Sequence, residues 1–146
     1  MIKLSKLTDY GVAIMAYMSQ DPARLYPATD LSEELGLGKE TVSKCLKLLS
    51  KADLLKSKRG ASGGYVLTRP AAEISVTDVI NALEGPIQLT DCIDGSGPCS
   101  LEHTCPTKGR WDKINATIVA ALSKVSIQEM VNPEMGSQKI EKRKTA

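Results

Sequence analysis

The chain has 146 residues, 42% of them apolar, with no Phe, one His, four Cys and a formal net charge of +2. That length fits one globular unit with an appendage, and a core lacking Phe suits helices packed on helices. No stretch approaches the roughly 18 apolar residues of a membrane span. The opening segment, broken by Lys3, Lys6 and Asp9, is unlike a signal peptide, so a cytoplasmic location with reduced thiols is the expectation.

In chain order, Leu4, Leu7, Gly11, Ile14, Met15 and Met18 recur at helical steps and predict an amphipathic helix over residues 8–19, ended by Asp21-Pro22. A short second helix is expected over residues 30–35, opened by Thr29 or Asp30 and closed by Gly36. A third begins near Lys39, with Val42, Cys45, Leu46 and Leu49 on one face and Lys39, Thr41, Ser43, Lys44 and Lys47 on the others. Two helices about a Gly-containing turn, the second with a basic polar face, form a helix-turn-helix pattern whose second helix reads the groove. Cys45, on the apolar face, is expected to pack in the core.

Two β-prone runs, residues 54–58 and 65–68, flank the Gly-rich stretch Arg59-Gly60-Ala61-Ser62-Gly63-Gly64 and predict a hairpin. A hairpin directly after a helix-turn-helix is a wing, with Lys56, Lys58, Arg59 and Ser62 available to phosphates or the minor groove. The charge distribution agrees. From Lys39 to Arg69 eight Lys or Arg oppose two acids, a local +6, whereas Pro70 to Thr107 carries six acids and no Lys or Arg, a local −6. The first segment suits phosphate and the second does not. Lys47 and Lys51 could equally belong to a solvated surface.

Ser75-x-x-Asp78 caps a further expected helix, residues 76–83, stopped by Gly85-Pro86. A loop follows with three of the four cysteines, Cys92, Cys99 and Cys105, spaced Cys-x6-Cys-x5-Cys. That spacing does not fit the paired Cys-x2-4-Cys of zinc fingers. Soft thiolates suit iron–sulfur clusters and zinc alike, and a thiol redox switch is a further reading. Pro106 suits the start of another helix, along which Trp111, Ile114, Ile118, Leu122 and Val125 form an apolar seam fit for a second subunit. The polar remainder reads as a disordered tail.

The expected fold is thus mainly α with a small β-hairpin. It comprises a winged helix-turn-helix over residues 1–85, a cysteine loop over 86–105, a long dimerisation helix over 106–131 and the tail over 132–146. The sole His and the lack of a nucleophile–base pair or phosphate loop argue against an enzyme. A small electron-transfer or cluster-carrier protein with a basic lobe is the reading from another class, separable by an operator footprint.

Four segments together resemble the IscR/NsrR family of dimeric winged helix-turn-helix regulators. They are Leu-Ser-Lys-Leu-Thr-Asp-Tyr-Gly11, Arg59-Gly-x-x-Gly-Gly-Tyr65, Ile74-Ser-Val-x-x-Val-Ile-x-Ala-Leu-Glu84 and the cysteine trio. Within the family, Lys6 to Gly11 and Leu83 to Ile87 look most like regulators of the SUF iron–sulfur assembly system. The resemblance implies an iron–sulfur cluster, 2Fe–2S or 4Fe–4S, held by Cys92, Cys99 and Cys105 with one non-cysteine ligand. It also implies a homodimer on a pseudo-palindromic double-stranded DNA operator, repressing iron–sulfur assembly genes. Where IscR-type members carry His three residues after the last cysteine, this chain has Lys108, a poor ligand when protonated. Asp9 of the partner subunit, where NsrR-type members place an acidic ligand, is the replacement this resemblance suggests. His103 is a local alternative. A nitric-oxide or iron sensor of the same family remains a second reading.

Overall fold

The computed structural model describes residues 3–93, 99, 101 and 104–132. Helix α1 runs Lys6–Met18, two residues earlier than its periodicity suggested, because the Ser5 hydroxyl accepts from the Thr8 N–H and caps it. Ile14, Met15 and Met18 are fully buried. Helix α2, Ala28–Leu35, begins at Ala28 rather than near Asp30. Pro27 is its N-cap and makes no side-chain cap bond, while Asp30 sits in the first turn and pairs with Arg24 at 3.3 Å. Gly36 closes α2 in the left-handed conformation (φ 62°), the geometry its lack of a Cβ permits. The Ser32 hydroxyl donates to the Leu37 carbonyl at 2.6 Å and fixes the turn into helix α3, Lys39–Lys51.

Strands β1, Leu55–Lys58, and β2, Gly64–Leu67, pair antiparallel with Leu55 opposite Leu67 and Lys58 opposite Gly64. The hairpin is seated on the α1–α2 connection. Tyr26 exchanges two backbone hydrogen bonds with Tyr65, at 2.9 and 2.8 Å. Gly64 permits this seat, since a Cβ there would lie 2.6 Å from the Tyr26 carbonyl carbon.

Helix α4, Val76–Glu84, carries the expected capping box between Ser75 and Asp78 and packs on α1 at Gly11. A Cβ on Gly11 would meet Leu83 Cδ1 at 2.2 Å. The core joins Ile14, Met15, Met18, Val42, Leu46, Leu49, Ile74 and Val79 to Ile127.

Ile127 marks where the structure departs from a single helix over residues 106–131. Helix α5 spans only Arg110–Ser123, and a separate helix α6 spans Ile127–Val131. Pro106 lies in a turn before α5 rather than at its start. Ser126 forms a capping box with Glu129, opening a new helix where the old one would have continued. Val125 therefore leaves the helical seam. Its carbonyl accepts from the Val76 N–H at 2.9 Å, and the Ile127 N–H donates to the Ile74 carbonyl at 2.8 Å, drawing the chain back onto the first unit. Of the expected tail, all but Asn132 lies outside the described residues.

Candidate nucleic-acid interface and cysteine site

Helix α3 is divided as its sequence suggests. Val42, Cys45, Leu46 and Leu49 are buried. Lys39, Glu40, Ser43, Lys44 and Lys47, with Leu48, line a shallow hollow on the opposite side. Thr41 is half-buried and is not part of that lining. Glu40 is a member the sequence reading did not single out. Burial pushes the Cys45 thiol above its ordinary pKa, and its sulfur approaches the Leu7 carbonyl at 3.7 Å. Cys45 is a core residue, as its helical position suggested.

On the wing, Lys56, Lys58, Arg59 and Ser62 are all exposed. Lys56 and Lys58 are two residues apart on β1 and so share one face. The tip is closed by a hydrogen bond from the Gly63 N–H to the Gly60 carbonyl at 2.9 Å. A basic helix face and a basic wing are therefore carried on one core, fixed by the Tyr26–Tyr65 pairing.

The cysteines lie between α4 and α5. Cys92 is exposed, Cys99 and Cys105 are half-buried, and all are free thiols. Cys92 Sγ is 3.2 Å from Thr90 Oγ1, and Cys105 Sγ is 3.3 Å from Thr107 Oγ1. Hydrogen bonding by the Thr107 side chain, then by its backbone, holds the Cys105 thiol below its ordinary pKa, with Lys108 adding to the effect. Among the described residues no three His, Cys, Asp or Glu side chains are gathered closely enough to hold a metal ion. The donor set nevertheless suits a soft-metal or iron–sulfur group in kind, since three unpaired thiols in one loop are the ligands such groups take. Asp9 is exposed in the first turn of α1. His103 lies outside the described residues.

Two contacts that sequence did not reveal hold the ends of this loop. Glu84, the last residue of α4, accepts from the Ser5 N–H at 3.1 Å and from the Thr8 hydroxyl. Hydrogen bonding by the Ser5 side chain, then by the Thr8 side chain, and to a lesser extent by the Ser5 backbone, holds its carboxyl below the ordinary glutamate range. Asn115 is the buried residue of α5, 8% exposed. Its amide donates to the Ile87 carbonyl at 2.9 Å and accepts from the Leu89 N–H at 3.2 Å. The one available signal was a polar residue beside the apolar seam.

A helix-turn-helix with a basic outer face, followed by a basic wing, defines a DNA-binding regulator of the winged-helix class. The chain belongs to the Rrf2 family, described as iron-dependent transcriptional regulators, whose model matches residues 4–133. It is 34% identical over 106 residues to the HTH-type transcriptional regulator IscR of Photorhabdus laumondii, a match covering 73% of this chain and 64%, just under two thirds, of that protein. With IscR of Escherichia coli it shares 31% identity over 132 residues, 90% of this chain and 81% of the relative. Among solved structures, IscR of T. potens matches with a TM-score of 0.69 at 28% identity, covering 94% of this chain and 91% of that one. CymR, the global cysteine regulator of B. subtilis, also matches with a TM-score of 0.69, at 26% identity and covering 90% and 98%. The protein is thus an IscR-like transcription regulator that binds DNA, not an enzyme. Among the described residues no helix is long and apolar enough to cross a membrane.

Proposed function

We propose that this regulator represses iron–sulfur assembly genes and senses cluster supply through an iron–sulfur group held by Cys92, Cys99 and Cys105. The observation that carries the reading is the position of these three free thiols. They sit on a connection rooted at one end in α4, whose Glu84 bonds to the start of α1, and at the other in α5. When bound, such a group would supply iron centres whose bonds to the cysteine thiolates respond to oxygen, nitric oxide or exchange. The three cysteines hold it as thiolates, and Asp9 of the partner subunit completes the set as the non-cysteine ligand.

In this reading α3 enters the major groove, with Lys39, Thr41, Ser43, Lys44 and Lys47 facing DNA, while Lys56, Lys58, Arg59 and Ser62 of the wing meet the adjoining backbone or minor groove. The dimer forms through α5. Trp111 and Ile114, 39% and 46% exposed, with the half-buried Ile118 and Leu122, supply the apolar strip a second copy covers. Two-fold symmetry then matches a pseudo-palindromic operator.

The equally good structural match to a cysteine regulator supports a second reading, in which the same thiols answer to cysteine or redox state. Iron, acid-labile sulfide and zinc measured per subunit after anoxic purification separate the two. Iron and sulfide in near-equal amounts support the first reading. Their absence, with operator affinity responding to a thiol oxidant, supports the second.

A further inference from the structure

Helix α5 is exposed along most of its length, yet Asn115 is buried and spends both polar ends of its amide on backbone outside its helix. Its partners, Ile87 and Leu89, immediately precede the cysteine segment, and Leu89 is three residues from Cys92. Asn115 also shares a helix face with Trp111 and Ile118, four residues before it and three after. One side chain thus touches the root of the thiol loop while neighbouring, on its own helix, the residues of the apolar seam.

The far end of α5 is fixed independently. The Ser123 hydroxyl donates to Thr77 Oγ1 at 3.0 Å, and Val76 and Ile74 pair with the backbone at Val125 and Ile127. The helix is therefore a strut anchored on the DNA-binding unit at its C-terminal end. Along its middle, the only side chain of α5 shown bonding to the loop root is that of Asn115, among the described residues. A shift of residues 87–89 is passed directly to the Asn115 amide, because leaving either of its polar groups unpaired in a buried position is unfavourable.

We infer that Asn115 is the positioning residue that couples occupancy of the three thiols to the placement of α5, and through α5 to the two reading helices. This rests on the proposed sensing role of the cysteines. Asn115 touches no thiol and no DNA. It acts by obliging the loop root and the strut to move together, as transmission between sites requires.

The test uses the whole chain, wild type and Asn115→Leu, each prepared with its thiols reduced and free of metal and each loaded, without oxygen, with mixed ferric and ferrous iron and inorganic sulfide. Operator affinity is measured in both states, and amide exchange across residues 87–93 is followed in the metal-free state. Wild type should show an affinity ratio between states within the usual coupling range of about 5–150-fold, and N115L a ratio within about 2-fold of unity. The variant should keep the iron content and metal-free affinity of wild type, with faster exchange at Leu89. A residue that only stabilises the fold would lower the melting temperature and leave the ratio intact, and that result overturns the inference. A wild-type ratio of one overturns instead the sensing role on which the inference rests. Should N115L fail to fold, Asn115→Asp retains the acceptor for the Leu89 N–H but cannot donate to Ile87. Its ratio must fall below that of wild type, and an unchanged ratio refutes the coupling.

Discussion

Gly64→Ala asks whether the wing is held in position by its seat on Tyr26. The added Cβ would lie 2.6 Å from Tyr26 C, 2.7 Å from Tyr26 O and 2.8 Å from Pro27 N. All three are backbone atoms, so no rotamer change relieves the overlap. Strand β2 must retreat, and the two hydrogen bonds between Tyr26 and Tyr65 stretch or break. Overpacking of this kind costs about 1–3 kcal/mol, and two backbone hydrogen bonds contribute about 0.5–1.5 kcal/mol each. Retreat exchanges part of the first penalty for the second, so the net loss should be about 2–3 kcal/mol. Urea unfolding followed by far-UV circular dichroism reads it as a lower midpoint at unchanged slope. Ser62→Ala, exposed on the same turn, is the control. Operator affinity should fall with G64A as well, because Lys56, Lys58 and Arg59 move relative to α3. A stability change below about 0.5 kcal/mol, the range of neutral surface substitutions, would refute the seat.

Lys58→Ala on the wing should make the logarithmic salt dependence of operator affinity shallower by about 0.9 if one phosphate contact is lost, with sequence preference unchanged. Ile127→Ala, at a fully buried site, should destabilise the whole DNA-binding unit by about 2–5 kcal/mol, measurable by thermal or urea unfolding. Glu84 gives a pH dependence of known sign. Its carboxyl is held below the ordinary range when folded, so its contribution is present above the ordinary glutamate pKa and is lost as pH falls through the lowered folded value. Glu84→Gln should therefore lower stability at neutral pH and flatten the acid limb, so that the variant and wild-type curves converge as pH falls below the lowered value.

The helix-turn-helix and wing were legible because each depends on local rules. Apolar spacing buried Val42, Cys45, Leu46 and Leu49, the Ser75-x-x-Asp78 pattern became a capping box, and Gly36 took the left-handed turn. The start of α2 was misplaced because Pro27 caps it without any side-chain bond. The long terminal helix was misread for a related reason. The apolar steps run from Leu122 to Val125 without interruption, but the Ser126–Glu129 box competes locally and pairing with Ile74 and Val76 decides the outcome. Asn115 and Glu84 were missed because their roles are long-range. Each bonds to backbone 26 or more residues away, which no local spacing encodes.

The burial of Ile127 in the same core as α1 and α3 also bears on how the chain is made. The reading helix and wing leave the ribosome first, but their hydrophobic core lacks a member until α6 emerges. About 40 further residues separate the end of α4 from that point, roughly 2–8 s of synthesis at about 5–20 residues per second. Within that interval the cysteine segment and α5 are both produced. A nascent chain therefore completes its DNA-binding core only after its thiols exist, and a copy interrupted before Ile127 carries a groove-reading helix on an unfinished core.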